Sequence, residues 1–282
     1  MIEAIKICDS DIIISTRYIY NLWIGKYGNM NCLKIGWEHN YHNNDQKFIN
    51  KIVSSVEKLD KFVLVSEELR DFYSKRVPSS CQCVYIPNTL SYWPKKMSTL
   101  DNKKMISVGR LEKEKGFSDL IDIFKLFYEK DQSWMLDIIG GGFEQDNLQE
   151  KIKMYHLESN ITIHGERDES YVRKHLQEAS IYVLPSFTES FGIVILEAYS
   201  YGLPVVAFDT ASGARTLVKN NQTGFLIADR NKVAMRDSML QLANMKELRT
   251  KMGINGREYA KNYLEKKVKQ KYPTESFFDD DS

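Results

Sequence analysis

Cysteine is scarce: Cys8, Cys32, Cys81 and Cys83 are the full set, and their spacings fit neither a zinc site nor a redox pair. Metal-organised and disulfide-stapled folds are excluded on that count, and the thiols are expected to be reduced and structural. Long apolar runs are also missing. No stretch approaches the roughly 18 residues that a spanning helix needs, and no basic segment followed by a long apolar one opens the chain. These absences predict a cytosolic protein. A surplus of either charge is the third absence, since 39 Lys and Arg face 38 Asp and Glu, too even a balance for a nucleic-acid partner. The first hundred residues are slightly basic, with 13 Lys and Arg against 10 Asp and Glu, leaving 26 against 28 beyond. That excess is compatible with an anionic acceptor or a membrane surface if the charges cluster in space.

What is present is globular composition. Hydrophobic residues at 43% supply enough apolar surface for real cores, and low complexity is confined to the acidic end at 279–281. A length of 282 residues accommodates two modest lobes, since compact domains commonly run to about 100–200 residues. Short apolar runs at 12–14, 33–37, 62–65 and 84–86 read as buried strands. Between the second and third lies a helical pattern, Phe48, Ile49, Ile52, Val53, Val56 and Leu59, at spacings of three and four. This βαβ rhythm predicts a parallel sheet. Residues 93–104 are polar and aperiodic, and predict a linker carrying the hinge. The rhythm restarts with a strand at 105–108 and a helix whose inner face is Phe117, Leu120, Ile121, Phe124, Phe127 and Tyr128. Further strands are expected at 134–139, ending in Gly140, Gly141 and Gly142, and at 161–163, 181–184 and 205–208, with the last helices over about 232–263. The expected fold class is α/β with two Rossmann-type lobes: an incomplete one at 1–98, a doubly wound one at 99–258, and at 259–282 a helix returning towards the first lobe and a frayed acidic tail.

In open parallel sheets ligands bind beyond the carboxyl ends of the strands, so the residues just after each strand are the candidates. After 105–108 comes Gly109-Arg110-Leu111-Glu112-Lys113-Glu114-Lys115-Gly116, with a guanidinium and an ammonium five residues apart on a strand-to-helix turn. Two readings stand: a cationic pair that grips a diphosphate and neutralises a leaving group, or solvated charges on a surface turn. After 181–184 comes a loop and then a helix, with Glu189 and Glu197 eight residues apart and Gly192 between them. Eight residues are about two helical turns, which predicts that both carboxylates lie near one side, next to a helix mouth that favours an anion. The alternative is a helix with a favourable acidic first turn. His39 and His164 each end a strand and read equally as ligand-facing or structural. Asp9-Ser10-Asp11 has the form of a metal-binding D-x-D, but it precedes a strand and no second half appears, so no metal is expected.

Together these residues resemble the family 4 glycosyltransferases, retaining enzymes of the GT-B fold. Glu189 and Glu197 reproduce that family's E-x7-E element, Gly109-Arg110 through Lys115-Gly116 its phosphate-clamping turn, and residues 199–206 its A-x-x-x-G-x-P-V strand approach. The resemblance runs from about residue 11 to about 263 and is nearest to bacterial capsule and exopolysaccharide enzymes. It implies that Gly109, Arg110 and Lys115 bind the diphosphate, Glu189, Ser190, Phe191, Gly192 and Ile193 the sugar and phosphate, and Glu197 the ribose. His39, within Trp37-Glu38-His39-Asn40, falls where the family places a histidine facing the donor sugar, while His164, Gly165, Glu166 and Arg167 are expected near the base. Glu189, His39, Arg110 and Lys115 would form the catalytic set. The implied substrate is a nucleotide-sugar, UDP-linked by family precedent, with no cofactor, and no metal because the two cations fill an ion's role. The implied acceptor is a glycan or lipid-linked sugar, with loose contact at the inner face of the membrane. Retention would follow from front-face attack, the leaving phosphate helping to take the acceptor proton.

The first lobe departs from the family pattern. Only about 95 residues precede the hinge, the opening strand and its Gly-rich turn are missing, and Gly25 and Gly28 read as lying in a polar loop. A sheet without its first strands exposes an apolar edge, which predicts self-association or a partner chain there. Two alternatives stand beside transfer: a non-catalytic nucleotide-sugar-binding subunit, and an epimerase of the same fold acting on UDP-GlcNAc.

Overall fold

The computed structural model describes residues 1–210 and 212–273, so the acidic end at 279–281 lies outside the described residues. The chain divides into two compact units, Met1–Asn88 and a second from Thr89 onward. Among the described residues no helix is long and apolar enough to cross a membrane.

The first unit runs α1 (Ile2–Lys6), β1 (Ile12–Ser15), α2 (Tyr18–Tyr27), β2 (Leu33–Glu38), α3 (Gln46–Ser55), β3 (Lys61–Leu64), α4 (Glu67–Ser74) and β4 (Gln82–Tyr85). Its strands pair in parallel in chain order, β1-β2-β3-β4. Phe62, Val63 and Leu64 of β3 are fully buried, as expected of a strand covered on both faces. Helix α3 begins where the Asp45 carboxylate accepts from the amides of Lys47 and Phe48, and α4 where Ser66 Oγ accepts from the Leu69 amide. The helix predicted from the 48–59 pattern ends at Ser55. Helix α2 was not predicted, because apolar residues surround most of Tyr-Ile-Tyr-Asn-Leu-Trp-Ile-Gly-Lys-Tyr and leave no one-sided stripe. Gly25 lies inside this helix and Gly28 caps it, which corrects the polar loop expected there.

The second unit contains β5 (Lys104–Val108), α5 (Phe117–Tyr128), β6 (Met135–Ile139), α6 (Gln145–Met154), β7 (Ile161–Ile163), α7 (Glu169–Glu178), β8 (Ile181–Leu184), α8 (Ile193–Ser200), β9 (Val205–Phe208), α9 (Ser212–Leu217), β10 (Gly224–Ile227), α10 (Lys232–Asn244), α11 (Lys246–Ala260) and α12 (Glu265–Lys271). Its six parallel strands lie in the order β7-β6-β5-β8-β9-β10. Counted within the unit this is 3-2-1-4-5-6, the doubly wound order, and the winding direction reverses between β5 and β8. One core includes Phe117, Leu120, Phe124 and Phe127 of α5, packed with Trp134, Leu136, Ile138, Met235 and Met239. Strand β10 was not foreseen; it opens on Gly224 directly behind a polar turn.

The predicted linker is a correction. Residues 89–100 belong to the second unit: the Leu90 amide donates to the Tyr263 carbonyl, the Ser98 amide to Tyr201, and Arg249 and Arg257 donate to the carbonyls of Leu100 and Pro94. The boundary therefore falls after Asn88 and not near residue 98. The segment has no periodicity because backbone groups, not a side-chain stripe, hold it. Nor is there a break at 258: α11 runs through it, and Leu264 bridges back to Leu90 within the same unit.

Candidate functional site

The reversal of winding sets the loops after β5 and β8 side by side, and both carry sequence-predicted residues. The chain leaves β5 through Gly109, whose amide donates to Ile139, makes a short 3-10 turn at Lys113–Lys115, and enters α5 through Gly116. Gly116 has φ of 70°, and a Cβ there would stand 2.2 Å from the Pro185 carbonyl oxygen. Only glycine lets the turn approach the β8 loop this closely. A cavity of about 220 Å³ opens here, lined by residues that include Glu112, Lys113, Gly116, Phe117, Asp119 and Phe187.

Lys115 Nζ stands 2.5 Å from Glu189 Oε1, with the two side chains only 18% and 14% exposed, and Ser186 Oγ donates to the same oxygen at 3.1 Å. Two residues that the sequence singled out separately thus meet, across 74 residues of chain. Arg110 takes no part in it. Its guanidinium is 71% exposed and pairs with Glu114 at 3.3 Å, so the expected two-cation clamp is corrected to a single cation facing Glu189. The sequence spacing fixed both side chains on one turn but not their directions.

Beyond Glu189 the loop turns into α8 through Gly192 at φ 82°, and no side chain caps that helix. Ser190 and Ile193 are partly exposed beside it, whereas Phe191 is buried against the Tyr263 ring, so its side chain serves packing. Glu189 lies in the loop before α8, not on the helix, and the Gly213 amide donates to its carbonyl. Glu197 is on α8 and lines a small cavity with Leu90, Tyr92, Glu169, Arg173 and Tyr201. Burial holds its carboxyl above the ordinary glutamate range, with Glu169 adding to the effect and Arg173 opposing it. Tyr182 of β8 is fully buried. Burial pushes its acidity well away from the ordinary tyrosine, and both Glu197 and Glu189 push further in the same direction. Its hydroxyl lies within hydrogen-bond reach of the Val108 backbone, at the end of β5.

His164 follows β7. Its Nδ1 is 2.9 Å from the Tyr171 hydroxyl and its Nε2 3.0 Å from Asp137 Oδ1, while His175 Nδ1 is 3.0 Å from Asp137 Oδ2. Asp137, His164 and His175 are the described residues whose donor atoms converge enough to hold a metal, within 4.8 Å of one another. Lys104 Nζ, 3.3 Å from Asp137 Oδ2, already balances that carboxylate. Burial alone would raise the Asp137 carboxyl, but the two imidazoles against it and the Lys104 charge outweigh it and hold the group below its usual range. His164 is therefore tied into a structural network. Next to it, Gly165 has open space around its Cα, Glu166 packs along Gly141, and Arg167 donates to the His164 carbonyl.

In the first unit His39 lies just past β2, its ring stacked on Trp37 at 5.8 Å, and partial burial holds it below the usual histidine range. A larger cavity, about 540 Å³, opens at the same end of that sheet, lined by Arg17, Tyr18, Glu38, Asn40, Tyr41 and His42 among others. Glu38 is buried, accepts from the amide and side chain of Asn40, and is raised above the ordinary range by burial. Only His39 of this region was singled out in the sequence. Arg17 and His42 carry no motif, and the signal they share with Glu38 is a position at or beyond the carboxyl end of a strand.

Residues 93–259 match the family described as glycosyl transferases group 1. An uncharacterized glycosyltransferase of Haemophilus influenzae is 31% identical over 248 residues, covering 85% of this chain and 68% of that protein. The poly(ribitol-phosphate) alpha-N-acetylglucosaminyltransferase of Staphylococcus aureus is 27% identical over 98% of this chain and 54% of that protein. Among solved structures, a variant of S. aureus TarM in complex with fondaparinux, alpha-GlcNAc-glycerol and UDP matches with a TM-score of 0.80 and 25% identity, over 95% of this chain and 53% of that one. The chain thus spans about half the length of the last two relatives.

Proposed function

Because this chain belongs to the group 1 glycosyl transferases, we propose that it moves a sugar from a nucleotide-diphosphate donor, UDP-linked, to a glycan or lipid-linked acceptor in cell-surface polysaccharide synthesis, with retention of configuration. The observation that carries the reading is the Lys115–Glu189 pair, 2.5 Å apart at the switch point of the doubly wound sheet and beside the uncapped α8. A diphosphate arriving there competes with Glu189 for Lys115 and meets the amides of α8. Glu189 is then released to accept hydrogen bonds from sugar hydroxyls, and Glu197 to accept from the ribose. Arg110 joins by exchanging Glu114 for a phosphate oxygen, a rotation open to an exposed side chain. In the transfer the bond from the anomeric carbon to the diphosphate oxygen breaks, the acceptor oxygen bonds to the same face of that carbon, and the acceptor proton passes to the departing phosphate. The chain's residues contribute position and charge stabilisation.

Calorimetric titration with UDP-, GDP- and ADP-sugars tests this. Saturable binding that is lost in Lys115→Ala and Glu197→Ala supports it; absence of binding, or binding indifferent to both substitutions, removes it. A second reading, a nucleotide-sugar-binding subunit that works with another chain, is favoured by the edge strand β1, where Ile14 is 52% exposed and no strand among the described residues pairs with the outer edge. Donor binding without transfer or hydrolysis distinguishes it.

A further inference from the structure

Arg230 belongs to none of the motifs that point to the site, yet its guanidinium reaches three of the segments that build it. It follows β10 and has φ of 52°, a left-handed backbone that non-glycine residues adopt at some cost. Nη1 donates to the Pro185 carbonyl at 2.9 Å and to Asp119 Oδ2 at 3.1 Å. Nη2 donates to the Ser186 carbonyl at 2.9 Å and to Thr210 Oγ1 at 3.3 Å, and Nε to Asp229 Oδ1 at 2.8 Å. The guanidinium carbon also lies 3.7 Å from the Phe187 ring centre and 4.2 Å from that of Phe208. One planar, five-donor group therefore joins the β8 loop, the first turn of α5 and the segment after β9, a task for which a point charge such as lysine has the wrong geometry.

We propose that Arg230 is a positioning residue of the donor site, resting on the reading above. It is remote from the reacting bond; by holding the Pro185 and Ser186 carbonyls it fixes the loop that delivers Ser186 Oγ and the Glu189 carboxylate to Lys115. Its contacts lie on the β8 loop, α5 and β9, whereas Glu197 is carried on α8. The assignment is therefore to the sugar end of the donor, and recognition of the nucleotide is independent of Arg230.

The test compares wild type with Arg230→Gly, which removes the guanidinium but suits the left-handed backbone, and Arg230→Lys, which keeps the charge without the fork. Each protein is titrated with UDP and with UDP-GlcNAc, UDP-glucose and UDP-galactose, and hydrogen–deuterium exchange is followed in the peptide spanning 185–190. In Arg230→Gly, UDP affinity stays within about twofold of wild type while the affinity added by the preferred sugar falls about tenfold or more, as misplaced contacts predict. Exchange in 185–190 rises about tenfold as the loop opens locally, Arg230→Lys falls between, and millimolar guanidinium restores part of the loss. Unchanged exchange in Arg230→Gly overturns the proposal. So does an equal loss of UDP and UDP-sugar affinity, which is general loosening and not positioning. Failure of wild type to bind any of these nucleotides sinks the donor-site reading and the assignment together, and is distinguishable from both.

Discussion

Replacing Lys115 by methionine keeps an unbranched chain of nearly the same length and removes its charge, leaving Glu189 the hydrogen bond from the Ser186 hydroxyl. At an effective dielectric of about 20, unit charges 2.5 Å apart attract by about 6–7 kcal/mol, and desolvating the two groups offsets most of that. Removing one member of a buried pair typically costs about 3–5 kcal/mol. Partial exposure of both side chains and the Ser186 bond lower the expectation to about 2–3 kcal/mol. Urea unfolding of wild type, Lys115→Met, Glu189→Gln and the double variant measures this as a cycle. The double variant should recover most of the single losses, with a coupling of about 2 kcal/mol. Losses that add to within about 0.5 kcal/mol would refute the reasoning, because independent sites behave that way.

Three further outcomes follow from the same geometry. Burial raises the Glu197 carboxyl, so the folded protein holds that proton more tightly than the unfolded chain; stability is lost as pH rises through the ordinary value of 4.5 to the raised one. Glu197→Gln should therefore melt higher than wild type at pH 7 and equally below about pH 4, while binding donor more weakly, and a lower melting point at pH 7 would contradict this. Asp137 has the opposite sign: its lowered carboxyl stabilises the fold above the ordinary value of 3.8, and that support is lost as pH falls through the lowered one. Asp137→Asn leaves the partly exposed Lys104 ammonium with Glu178 alone, 3.5 Å away, and should cost about 1–3 kcal/mol by urea unfolding at pH 7. Gly116→Ala puts a methyl group 2.2 Å from the Pro185 oxygen on a backbone at φ 70°, and a loss of more than about 1 kcal/mol with weaker donor binding is expected from chemical unfolding and titration.

Much of the fold was legible because each βαβ unit writes itself in neighbouring residues. The α5 stripe of Phe117, Leu120, Phe124 and Phe127 and the short apolar runs of β3, β8 and β9 needed no knowledge of their partners. Where that local signal fails, the reading failed with it: α2 is apolar on nearly all sides, β10 opens on Gly224 directly behind a polar turn, and 89–100 is bound through backbone carbonyls. The site divides in the same way. Glu189, Glu197, Lys115 and Gly116 stand in recognisable spacings after strands. Arg230 does not, and of the Asp137–His164–His175 network only His164 does, since the partners of each come from separate strands and helices.

Sequence alone determined that a lysine and a glutamate would each leave a strand at the carboxyl edge of a parallel sheet, because strand, turn and helix are specified over spans of about ten residues. It could not determine that they meet, nor that Arg110 would turn outward to Glu114. Those outcomes came from the winding reversal that brings β5 beside β8 and from the Arg230 fork that holds the β8 loop against α5. The direction of a long charged side chain is set by whichever partners the assembled fold places within reach, and here those partners lie 74 residues away for Lys115 and four for Arg110.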